Sequence, residues 1–155
     1  MRWGWAPIRR GVTRRLINIR VDALGRVRAY ADALARRRLL VPCTGFYEWT
    51  AEQPIWFHPP GIAAFAGLYV GDAFAILTTT PNALVAPIHD RMPVVLEPPS
   101  WAAWLDPGVP ADLASPLLGT PSVGEWVARR VGPRVNSVRH DDESCIAPAT
   151  QGSLF

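Results

Sequence analysis

Sixteen prolines are spread along this chain of 155 residues instead of being gathered into one tract. They punctuate it into short elements and argue against a disordered low-complexity segment. The apolar runs are correspondingly short. The longest clear one, Ile62 to Val70, stops at Gly71-Asp72, too soon to span a bilayer. A hydrophobic share of 49% is enough for a core, and the length suits one compact domain. No internal repeat or long linker is visible.

The order of these runs predicts the elements. Residues 1–20 read as irregular, then extended. Residues 22–38 read as a basic helix with Val27, Tyr30, Ala31 and Leu34 turned inward. Leu39 to Val41 and Gly45 to Trp49 read as short strands. Ala63 to Val70 and Phe74 to Thr80 read as a strand pair with Gly-Asp at its turn, and Pro93 to Leu96 as another strand. Ser100 is placed to cap a short helix carrying Trp101, Trp104 and Leu105. Residues 106–125 are loop-rich, and Trp126 to Val131 reads as a last strand. Short strands outnumber helices, which gives an α+β, β-rich class.

The net charge is +3, and every basic residue is arginine. Eleven arginines fall within residues 1–38 against Asp22 and Asp32 alone. Such a segment attracts polyanions, or is a solvated helix face and loop. The arginine-rich, polar N-terminus has no apolar stretch of a secretory signal behind it, so the expected location is cytoplasmic. Cys43 and Cys145 make no CxxC pair and no metal-ligand spacing with His58, His89 or His140. Neither a metal nor another cofactor is expected, and both thiols read as reduced bystanders.

Three clusters place polar groups among apolar neighbours. In Leu16-Ile17-Asn18-Ile19-Arg20, alternation sets Asn18 and Arg20 on one face and Ile17 and Ile19 on the other. This strand either binds a phosphate or carbonyl oxygen or is an edge strand with a wet face. In Gly45-Phe46-Tyr47-Glu48-Trp49 one carboxylate lies inside an aromatic run. Apolar surroundings raise its pKa, as a general acid or base near neutrality requires, unless an arginine partner satisfies it. In Ile88-His89-Asp90-Arg91-Met92-Pro93 an imidazole sits in a turn beside an acid and a base. Asn18, Glu48 and His89 lie on three separate elements, as convergent site residues often do.

The same blocks resemble the SRAP (SOS response-associated peptidase) family. Arg2-Trp3-Gly4-Trp5-Ala6-Pro7 is similar to its R-W-G-x-x-P, and Ile17 to Arg20 to its I-N-A-R. Arg37 to Pro42 followed by Gly45 to Trp49 resembles R-R-C-L-V-P-x-x-G-F-Y-E-W. Phe65 to Tyr69 resembles F-A-G-L-W, and Ile76 to Thr79 with Asn82 resembles I-L-T-T-x-x-N. Ile88 to Pro93 reproduces I-H-D-R-M-P, and Val135-Asn136 resembles a late V-N. The blocks keep the family order over nearly the whole chain.

The resemblance implies a single β-rich domain over residues 1–148 that binds single-stranded DNA in a basic groove and crosslinks to abasic sites in the SOS and DNA-damage response. An N-terminal cysteine, freed by Met removal, supplies the amine and the thiol that close a thiazolidine on the sugar aldehyde, and also cleaves its own N-terminal extension. Asn18 would position the nucleophile or sugar, Glu48 would be the general acid/base, and His89 would assist at the sugar hydroxyl. Arg20 and Arg91 would hold phosphates, and Trp3 would shape the floor under the DNA. Arg9 and Arg10 replace the family's aromatics in the loop before I-N-A-R, exchanging stacking for charge. This chain starts at Met1-Arg2, past the family's Met-Cys-Gly, so the expectation is a chain that lacks its N-terminal part and is inactive as given. A non-catalytic single-strand or replication-fork binding module is the alternative. A general cysteine protease lacks a Cys–His signal.

Residues 149–155 read as a flexible tail. Gln151, Leu154 and Phe155 resemble the peptide that docks in the bacterial sliding clamp, which makes the clamp an expected partner; a frayed tail is the other reading. The resemblance places the protein with the nucleoid and gives it no membrane partner.

Overall fold

The structure is a computed structural model that describes residues 1–5, 15–51, 53–119, 121 and 124–149. Among these the strands form a seven-stranded and a three-stranded sheet with three short helices, in the expected α+β class. None of the described helices is long and apolar enough to cross a membrane.

The large sheet is built on the hairpin of β6 (Ala63–Val70) and β7 (Ala73–Thr79), turning at Gly71 with φ +57°. Both faces of this pair are buried, which explains the nearly unbroken apolar run that encodes it. Ala66, Leu68, Ala75 and Leu77 face one core, whereas Phe65 and Ile76 face the other. β1 (Arg2–Trp3) and β2 (Asn18–Arg20) run parallel to β7, and β3 (Arg38–Cys43) runs antiparallel to β6.

Away from their turn β6 and β7 part, and residues 92–96 enter the gap. The one strand expected there is therefore two: β8 (Met92–Pro93) pairs with β7 and β9 (Val95–Leu96) with β6. Val94 between them is fully buried and bonds to both sides, to Leu77 O and from Ala66 N, each at 2.9 Å.

The small sheet has the order β10 (Val127–Arg130), β5 (Pro54–His58), β4 (Phe46–Trp49). No strand is expected from the sequence at β5. Its run is bounded by Gln53 and Pro59 and is buried throughout its first four residues, so no alternation marks it.

The helix expected over 22–38 is shorter. A 3-10 turn, Val21–Ala23, and a bend around Gly25 precede α1 (Arg28–Arg36). This start turns Ala33 inward with Tyr30 and Leu34 and leaves Ala31 exposed, correcting the expected face. α2 (Pro98–Leu105) begins two residues before Ser100, with Glu97 as its N-cap residue, so Ser100 caps nothing. Trp104 is fully buried but Leu105 is exposed. α3 (Ala111–Ala114) and the 3-10 turn Ser115–Leu118 complete this layer, which covers one face of the large sheet.

Candidate functional site

Trp3, Ile17, Asn18, Phe46, Tyr47, Glu48, Trp49 and His89 line one cleft of about 670 Å³. The three polar residues reach it from β2, β4 and the loop before β8. Asn18 is fixed by the parallel register Asn18–Ile76, and Glu48 by the antiparallel register Glu48–Ile55. Ile17, which alternation set opposite Asn18, also lines the cleft, because it precedes β2 and its carbonyl oxygen binds the Trp3 indole N–H at 2.9 Å.

Glu48 is half-buried against these rings. Burial pushes its carboxyl above the usual carboxylate range; the charge of His89 pulls it down and that of Asp90 pushes it up. His89 Nδ1 lies 3.7 Å from Glu48 Oε1, beyond a hydrogen bond, so the two act on each other through space. The partner of Glu48 is thus a histidine, with no arginine paired to its carboxylate among the described residues.

His89 is held by its own turn. Nδ1 is 2.9 Å from Arg91 O and 3.1 Å from Arg91 N, which fixes the ring and leaves Nε2 for another group. The turn is in turn braced by Asn82, whose Oδ1 accepts from Leu84 N and Val85 N at 3.1 Å each. A second brace is Arg91 Nη2 donating to Thr78 O at 2.6 Å.

The basic residues are less convergent. Arg20 points into a two-pronged pair with Asp22, at 2.9 and 2.8 Å, and neither Arg20 nor Arg91 lines the cleft. Arg9, Arg10, Gln151, Leu154 and Phe155 lie outside the described residues. Trp3 is 54% exposed at the cleft, whereas Trp5 is 4% exposed and packs edge-on against Tyr30.

Both described cysteines are free thiols. Burial pushes Cys43 up to about 11, so it is a thiol and a poor nucleophile at neutral pH. The described residues hold no group of three or more His, Cys, Asp or Glu able to hold a metal ion.

The sequence of the family described as SOS response associated peptidase (SRAP) matches residues 1–138. The abasic site processing protein YoqW of Bacillus subtilis (strain 168) is 30% identical, over 94% of this chain and 74% of its own length. The abasic site processing protein YedK of Escherichia coli (strain K12) is 25% identical, over 94% and 72%. Among solved structures, a phage-related protein from Bordetella bronchiseptica is 30% identical, with a TM-score of 0.69 over 83% of this chain and 68% of its own. A protein from Bacteroides thetaiotaomicron shares the fold at 24% identity, with a TM-score of 0.78; the match covers 86% of this chain and 66% of that one, just under two thirds.

Proposed function

Because this chain belongs to the SOS response associated peptidase (SRAP) family, we propose that it processes abasic sites, taking single-stranded DNA into the cleft and the bare sugar to Asn18, Glu48 and His89. The observation that carries this reading is Glu48: a carboxyl whose pKa burial raises, beside an imidazole, in a cleft walled by rings. A neutral carboxyl gives a proton to the sugar ring oxygen as the hemiacetal opens, and its ionised form takes one back. Asn18 orients the sugar or the incoming amine, and His89 Nε2 serves the sugar hydroxyl.

The opened aldehyde condenses with an amine, losing water, to form an imine. A thiol beside that amine then adds across the C=N bond, its proton passing to nitrogen, and the ring closes. In the reading that the family resemblance implies, an N-terminal cysteine supplies both groups, its α-amine and its thiol. Cys43 supplies neither an α-amine nor a thiolate. The same cysteine accounts for cleavage of an N-terminal extension. Trp3, Arg9, Arg10, Arg20 and Arg91 hold the strand, and the tail residues Gln151, Leu154 and Phe155 dock in the sliding clamp.

Covalent capture of an abasic oligonucleotide, by the chain extended to a Met-Cys-Gly start, tests the chemistry. Glu48→Gln keeps the fold and the DNA affinity and slows capture roughly a hundredfold or more. An unchanged rate removes Glu48 from the mechanism. Affinity without any capture favours the second reading, a non-catalytic single-strand or fork-binding module.

A further inference from the structure

Residues 133–146 line no part of the cleft, yet they hold two of its rings. Trp49 stands at the end of β4, 47% exposed. Its indole N–H donates to Asn136 Oδ1 at 2.7 Å, across 87 residues of chain. An indole nitrogen only donates, so the partner has to present an acceptor, and the Asn136 side-chain oxygen does so. Asn136 ends the 3-10 turn Pro133–Asn136. That turn is tied to the segment that leads into the following one, Glu143–Ile146, by Arg134 Nη2 on Oδ2 of its N-cap Asp142 at 3.1 Å and by His140 Nδ1 on Arg134 O at 2.8 Å. Tyr47, whose ring is 6.2 Å from that of Trp49, is held from the same segment: its hydroxyl donates to Cys145 O at 3.4 Å.

We propose that Asn136 is a positioning residue that fixes the face of Trp49 for stacking by the nucleobase next to an abasic position, so that recognition depends on the flanking base. The inference rests on the single-strand reading above. A missing base leaves its neighbour without a stacking partner. A ring already held at one angle replaces that partner without the cost of ordering a free side chain. Stacking of one base on an aromatic side chain changes affinity by roughly five- to 150-fold.

The test is binding of the full chain to two single strands. Each carries one tetrahydrofuran abasic analogue; in one the flanking nucleotides are adenines, in the other they are further abasic analogues. The native chain binds the adenine-flanked strand at least roughly fivefold more tightly. Asn136→Leu brings this ratio close to one. Asn136→Asp retains an acceptor and keeps the ratio, even where its charge weakens both affinities. Trp49→Phe retains a ring but has no N–H to tether, so it also loses most of the ratio, a readout that stands if Asn136→Leu does not fold. A native ratio in either Asn136→Leu or Trp49→Phe overturns the proposal and leaves single-strand binding intact. A native chain that binds neither strand overturns both.

Discussion

The two sides of the large sheet treat buried polar groups in opposite ways. On the helix side Arg38 is 7% exposed, and its guanidinium donates to the carbonyl oxygens of Leu34, Trp104, Asp106 and Val109. It also lies 5.5 Å from the centre of the Trp104 ring. Its charge is used entirely in joining α1, β3 and the end of α2. On the cleft side Glu48 is enclosed by rings, but its nearest ionisable neighbour is too far for a hydrogen bond. A satisfied buried charge fixes geometry, whereas an incompletely satisfied one stays available for proton transfer.

This contrast is broken most directly at Arg38. Arg38→Ala takes the guanidinium from the carbonyl oxygens of Leu34, Trp104 and Val109, and from Asp106 O, which keeps the Val109 N–H; it is expected to cost about 3–5 kcal/mol, enough to abolish cooperative unfolding in a marginal domain. A small loss in a urea titration would mean that the helix side is not held by this network.

Gly45 tests whether the cleft side also has a rigid base. It sits at φ +150°, and a Cβ there would overlap the Phe57 carbonyl oxygen and the Trp56 indole. Gly45→Ala is expected to cost about 2–4 kcal/mol from strain and overpacking together, measured in the same titration. Asn82→Ala removes the side-chain acceptor that braces the loop carrying His89 and is expected to cost about 1 kcal/mol, read as a lowered midpoint.

Glu48→Gln has the opposite sign. Below the ordinary glutamate pKa the carboxyl is neutral whether folded or unfolded. As pH rises through its raised folded-state value, burial of the ionised form takes stability away. The variant should therefore melt with the native protein near pH 4 and above it at pH 8. Equal melting at both would mean that Glu48 is not desolvated. The smallest effect is expected at Asp22, whose carboxyl Arg20 holds below its usual range. Asp22→Asn releases Arg20 toward phosphate, and single-strand binding should tighten slightly and become more salt-dependent.

Local pattern was readable in the sequence wherever one element's own neighbours decide the outcome. The β6–β7 hairpin follows from two apolar runs around Gly71-Asp72, and the raised Glu48 pKa follows from a carboxylate inside Phe46-Tyr47-Glu48-Trp49. The misses fall where distant chain decides. Nothing near β5 marks it as the centre of the small sheet, and nothing near Val135-Asn136 points to an indole far earlier in the chain.

The sequence by itself determined the α+β class, the arginine-only basic set and which polar residues stand among apolar ones, because periodicity and residue chemistry act over a few residues. The tertiary structure decided that Asn18, Glu48 and His89 share one cleft, that Arg20 is engaged by Asp22, and that β6 and β7 part to admit residues 92–96. These depend on which strands pair and in which register, and pairing is selected by burial of whole faces against each other rather than by any local run.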